Sequence, residues 1–229
     1  MTIKENLEKL DRKITEAAAK SGRKREDITL VAVSKTVGPA EVAEAYHCGQ
    51  RIFAENRVQC LMDKLAGMEQ YSASDIDWHL IGTLQTNKVK YIIDKVSLIH
   101  SVDSMHLADE INRCAAKHQR KVDCLLQVNV SGEESKHGVA LADVDRMVEY
   151  FTRLDNVCLK GLMTMAPLDA DEAQLRKIFS ALHQKYVDIG SQKGHNINMS
   201  FLSMGMTHDF SYAIEQGSNM VRIGTGIFH

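Results

Sequence analysis

The sequence predicts a (β/α)8 TIM barrel preceded by one extra helix. Three observations carry this reading. Eight short apolar runs recur along the 229 residues. Helical-period segments separate them, and such alternation calls for a parallel sheet with helical crossovers. The length is also that at which eight such units close into one barrel. With two prolines and no Ser/Pro-rich stretch, no linker is visible, so residues 1–229 are expected to form a single domain.

The elements follow in order. Ile3, Leu7, Leu10, Ile14, Ala17 and Ala18 recur at helical spacing until Ser21-Gly22, which gives the extra helix. Residues 28–34 are an apolar strand. Pro39 then sits in the first turn of helix 39–48, where its missing N–H costs nothing, and Gly49 closes that helix. Strand 51–55 leads to helix 56–67, and strand 77–82 to helix 86–94. Strand 97–102 leads to helix 104–118, strand 122–130 to helix 141–154, and strand 157–163 to helix 170–189. Strand 199–204, helix 209–216 and strand 219–223 complete the set. An open doubly wound sheet is the rival, but no GxGxxG turn follows the first strand.

Composition narrows the function classes. A formal net charge of −2 offers no basic field for nucleic acid. The charged, amphipathic start reads as neither an export signal nor a membrane span. Five cysteines (Cys48, Cys60, Cys114, Cys124 and Cys158) lack C-x-x-C spacing. They read as reduced thiols of a cytoplasmic protein, not as metal ligands.

In a barrel the chemistry sits at the C-terminal ends of the strands. Lys35 directly follows the first apolar run. A desolvated amine there loses proton affinity and becomes a nucleophile toward carbonyls, aldehyde cofactors included. Glu55 and Asn56 end the second strand. His79 lies in the third, with Gln85, Asn87 and Lys88 beyond it. The loops after strands seven and eight form the usual anion site of such barrels. Here they read Ser203-Met204-Gly205-Met206-Thr207 and Arg222-Ile223-Gly224-Thr225-Gly226. Glycines there let backbone N–H groups approach an anion. A phosphate and a nucleophilic amine on one rim describe pyridoxal 5′-phosphate. Plainer readings exist for each residue taken alone. Lys35 would be a solvated charge, His79 a core histidine, Arg222 an inter-strand ion pair, and the methionines core filler.

Taken together the motifs resemble the pyridoxal-phosphate homeostasis protein family. The matching segments are Val33-Ser34-Lys35-Thr36, Phe53-Ala54-Glu55-Asn56, Trp78-His79-Leu80-Ile81-Gly82 with Leu84-Gln85-Thr86-Asn87-Lys88, Gln127-Val128-Asn129-Val130, Lys160-Gly161-Leu162-Met163, Leu202-Ser203-Met204-Gly205-Met206 and Val221-Arg222-Ile223-Gly224-Thr225. The resemblance implies a barrel like the alanine racemase N-terminal domain, with the cofactor as a Schiff base on Lys35. It implies that Ser203, Gly224 and Thr225 hold the phosphate and that Arg222 faces the pyridine nitrogen. Asn56 would lie near the ring, with Met204 and His79 close by. It further implies a role in vitamin B6 homeostasis by buffering the cofactor or delivering it to apo-enzymes. The chain departs from the family's F-G-E-N-Y at Ala54 and Arg57, and carries Thr207-His208-Asp209 where an S-x-D is usual.

A weak pyridoxal-phosphate-dependent racemase or lyase is the alternative, and a phosphosugar barrel enzyme using Lys35 a third. A racemase needs a second base at the substrate Cα, for which Lys136, Tyr212 and His79 are the candidates. An arginine at the pyridine nitrogen also weakens the ring as an electron sink. Holding is therefore expected over turnover. No interface is evident, so a monomer is expected, without nucleic acid or membrane partners.

Overall fold

Residues 1–133, 136–190 and 194–229 are described in the computed structural model. Eight parallel strands close on themselves: β1 (Thr29–Val33), β2 (Ile52–Glu55), β3 (Asp77–Leu80), β4 (Leu98–Val102), β5 (Val122–Asn129), β6 (Val157–Met163), β7 (Ile197–Ser203) and β8 (Met220–Ile223). β1 completes the ring by pairing with β8, Val31 beside Arg222. The expected barrel is therefore observed.

Most strands are buried on both faces, which is why the sequence shows apolar runs and little alternation; β7 is the exception, exposed at Asn198 and fully buried only at Leu202 and Ser203. Val31, Ala54, Leu98, Leu125, Met163 and Met220 fill the barrel interior. Their neighbours along the strands, such as Ala32, Phe53, Ile99, Leu126 and Leu162, pack outward beneath the helices.

Helices α1 (Ile3–Lys20), α2 (Pro39–His47), α3 (Val58–Met68), α4 (Val89–Ile92), α5 (Met105–Lys117), α6 (Val144–Phe151), α7 (Glu172–Gly190), α8 (Phe210–Glu215) and α9 (Thr225–Phe228) surround the sheet. α1 is the extra helix. Thr2 and Glu5 close its start as a capping box, and it packs on α2, α8 and α9.

Differences from the expected boundaries have local causes. The helix expected over 86–94 is a 3-10 turn (Thr86–Lys88) followed by the single turn α4. Val89, Ile92 and Ile93 are its fully buried residues, so only the second half has a face to bury. The helix expected from residue 56 begins at Val58, because Arg57 stays extended (φ −137°, ψ 136°). That leaves Asn56 and Arg57 on the rim. β7 begins two residues early, at Ile197. A two-residue strand, Val139–Ala140, pairs with the end of β5, and α9 was not expected. α9 forms where α1 holds it: the Asn6 amide donates to the Ile227 carbonyl at 2.9 Å. Among the described residues no helix is long and apolar enough to cross a membrane.

Candidate functional site: a cationic cavity at the barrel mouth

A cavity of about 600 Å³ opens at the C-terminal ends of the strands. Lys35 lines it from the turn after β1. Ser34 fixes that turn from both sides. Its N–H donates to the Ala54 carbonyl at 3.0 Å, and its own carbonyl accepts from Val37 at 3.1 Å. Lys35 itself is exposed, and among the described residues nothing pairs with its ammonium. The sequence left open whether this lysine is solvated or desolvated; here it is an exposed amine at a cavity wall.

A buried ion pair lies behind the turn. The Lys64 ammonium, on α3, donates to the Ser34 carbonyl at 2.6 Å and pairs with the Glu55 carboxylate. The Ser34 hydroxyl donates to the same carboxylate oxygen at 2.6 Å. One ammonium thus ties together the residue before Lys35 and the residue before Asn56. The other Glu55 oxygen, Oε2, is buried without a partner.

Two glycines shape the wall. A Cβ on Gly82 would fall 2.0 Å from the Asn56 carbonyl oxygen. The loop after β3 therefore lies directly on Asn56, a contact that only glycine permits. Gly205 (φ +98°) turns the chain sharply into α8, where a Cβ would meet Phe210 at 2.8 Å. That turn brings Met206, Thr207 and His208 to the wall.

Arg222 borders the cavity and is buried. It donates to Ser203 Oγ at 2.6 Å and to the Thr164 carbonyl at 2.8 Å. Among the described residues no carboxylate pairs with it, and burial pushes its pKa down to about 10. From Ser203 a polar run crosses the barrel interior. Ser203 Oγ is 3.2 Å from His100 Nδ1, His100 Nε2 is 3.0 Å from His79 Nδ1, and His79 Nε2 is 3.5 Å from Asp77. One proton arrangement satisfies every member. Arg222 donates to Ser203, Ser203 to His100, His100 to His79 and His79 to Asp77, with both imidazoles neutral. The bond to His79 holds the Asp77 carboxyl below its usual range.

Burial pushes the His100 pKa well below 6.5, with the nearby His79 and Arg222 acting in the same direction. A depressed histidine pKa means that the unfolded chain takes up the proton before the folded one. Stability is therefore unaffected by this group above about pH 6.5 and falls below it, by about 1.4 kcal/mol per pH unit. The expected result is a shallower acid loss for His100→Gln than for the parent chain, read as urea midpoints at a series of pH values. Parallel curves would refute it.

Of the eight residues anticipated, Lys35, Asn56, Arg222, Gly224 and Thr225 line the cavity. Ser203 and His79 lie in the buried run behind Arg222. Met204 alternates with Ser203 and joins the core beneath the helices. Lys136, Tyr212 and His79, the candidate second bases, are not among the lining residues. Tyr212 instead packs under the Arg176 guanidinium at 5.0 Å. Sequence reasoning missed Arg57, His208 and Leu168 on the wall, and His100 inside. His100 shares the inward face with Leu98 by period two, a signal the sequence did carry.

Lys35, Arg57 and Arg222 thus face a cavity whose lining, among the described residues, contains no Asp or Glu. Such a well favours an anion carrying more than one charge. With the Gly224 turn next to a free amine, it suits a phosphorylated carbonyl compound.

The fold is of the alanine racemase N-terminal type: the family model described as alanine racemase, N-terminal domain, matches residues 5–229. A pyridoxal phosphate homeostasis protein of Aquifex aeolicus is 41% identical, over 100% of this chain and 98% of the relative. Its Escherichia coli K12 counterpart is 36% identical, over 99% and 95%. The solved structure of PipY from Synechococcus elongatus with pyridoxal phosphate bound is 32% identical, with a TM-score of 0.86 and full coverage of both chains. The chain belongs to the pyridoxal phosphate homeostasis protein family.

Proposed function

We propose that this chain binds pyridoxal 5′-phosphate as a Schiff base on Lys35 and holds it in reserve for apo-enzymes of the cytoplasm, as a single-domain monomer. The observation that supports the reading is the cavity itself: it sets an unpaired amine beside the Gly224 turn and a buried arginine, with no carboxylate among its described lining residues. In this reading Gly224 and Thr225 take the phosphate, with Ser203 behind them. Arg222 faces the pyridine nitrogen, and Asn56 lies beside the ring. The bound cofactor would supply an aldehyde carbon for reversible bonding to an amine. Arg222, itself a donor, keeps the pyridine nitrogen from taking a proton, which favours holding over turnover. A racemase or lyase would need a second base at the substrate Cα, and none of its three anticipated candidates lines the cavity.

The test is reconstitution followed by borohydride reduction and peptide mapping. The expected adduct is on Lys35. Lys35→Ala should lose it while keeping weaker, phosphate-anchored binding. An adduct on another lysine would overturn the assignment. For delivery, the loaded chain is mixed with an apo-enzyme. Activation faster than release into buffer supports transfer, and equal rates leave storage alone.

A further inference from the structure

Gln85-Thr86-Asn87-Lys88 is a motif that cofactor binding leaves without a role. Gln85 and Lys88 line a second groove, of about 550 Å³, which shares Asn56, Arg57 and Thr83 with the main cavity. Arg57 thus stands on the wall between the two. Its backbone is extended at the start of α3, and among the described residues its guanidinium has no partner.

Lys88, at the end of the 3-10 turn Thr86–Lys88, lines the same groove. Lys88 Nζ lies 5.7 Å from the centre of the Tyr91 ring, and Lys90 Nζ lies 4.9 Å from the same ring. Such contacts hold an ammonium without neutralising it. Among the described residues no carboxylate lines this groove. Other grooves differ. The one beside Lys177 contains Glu133 and Asp169, and the one beside Arg25 contains Glu8 and Asp11. Those two grooves carry acidic residues beside their cations, and among its described lining residues this one does not. A guanidinium with a free fork matches a carboxylate or phosphate through two parallel hydrogen bonds, and a lysine adds a point charge.

We propose that Arg57 and Lys88 form a second oxyanion subsite, adjoining the cofactor cavity, for a small ligand bearing a carboxylate or phosphate group. It lies next to the cofactor reading but does not depend on it.

The probe is inorganic phosphate, measured by calorimetry on the full chain before and after loading with pyridoxal phosphate and borohydride fixation. The unloaded chain is expected to bind two phosphates and the loaded chain one. Arg57→Gln and Lys88→Gln should each weaken the second site by about tenfold, the scale of one charge-assisted hydrogen bond. Lys13→Gln, an equal change of charge on α1, should not. A loaded chain that binds no phosphate, or variants that bind like the parent, would overturn the subsite. If the cofactor fails to load, the phosphate sensitive to Arg57 and Lys88 is still read on the unloaded chain, so the two failures are distinct. Competition by acetate but not acetamide assigns the subsite to carboxylates; competition by glycerol phosphate alone assigns it to phosphate esters.

Discussion

Lys64→Met is expected to cost the fold about 3–5 kcal/mol, the usual penalty for leaving one partner of a buried ion pair uncompensated. The Glu55 side chain is wholly buried and Lys64 nearly so. Without the ammonium, Glu55 keeps only the Ser34 hydroxyl, and its Oε2 already has no partner. Methionine replaces the lysine stem at similar volume, so the loss reports charge and not a cavity. Adding Glu55→Gln should recover most of it, since a neutral amide can still accept from Ser34. Urea denaturation of the two variants measures this, and a loss under about 1 kcal/mol for Lys64→Met would contradict it. The Ser34 carbonyl also loses one of its donors, keeping the Val37 N–H. The turn bearing Lys35 should therefore loosen, and the yield of reduced cofactor adduct should fall.

That pair shows what the sequence could and could not convey. Strand positions were legible because buried parallel strands are apolar on both faces, and Lys35 was legible because it ends such a run. Lys64 was not, since a lysine within a helical segment reads as solvent-facing. Only closure of the barrel brings it under β1 and β2. His100 was legible in part: it lies inside an apolar run whose neighbours suggested core, but its period-two spacing from Leu98 put it on the inward face. Arg57 was visible as a departure from the family pattern. Its position between two grooves depended on α3 starting two residues late, a boundary that periodicity does not fix. Ser203 was expected at the phosphate. Its hydroxyl is engaged by Arg222 and His100, a long-range pairing that no local motif encodes.

Arg222→Met should behave in the opposite way to Lys64→Met, although both replace a buried cation with the same side chain. Arg222 makes two hydrogen bonds, among the described residues no carboxylate pairs with it, and burial holds its pKa at about 10. Relative to the ordinary arginine value, that depression corresponds to about 3 kcal/mol of unfavourable charge burial. Removing the guanidinium relieves this and strands the Thr164 carbonyl, which costs about 1–3 kcal/mol. The two nearly cancel, so the cofactor-free variant should lie within about 1 kcal/mol of the parent chain, where a typical buried substitution costs more. Pyridoxal phosphate binding should weaken by about tenfold to a hundredfold, the range for one lost hydrogen bond to a charged group. Denaturation and cofactor titration on the same preparations give both numbers. A stability loss as large as that of Lys64→Met would mean that Arg222 holds the barrel together. The expected split, with stability kept and affinity lost, would mean that the fold bears an unneutralised charge at its mouth for the sake of what binds there.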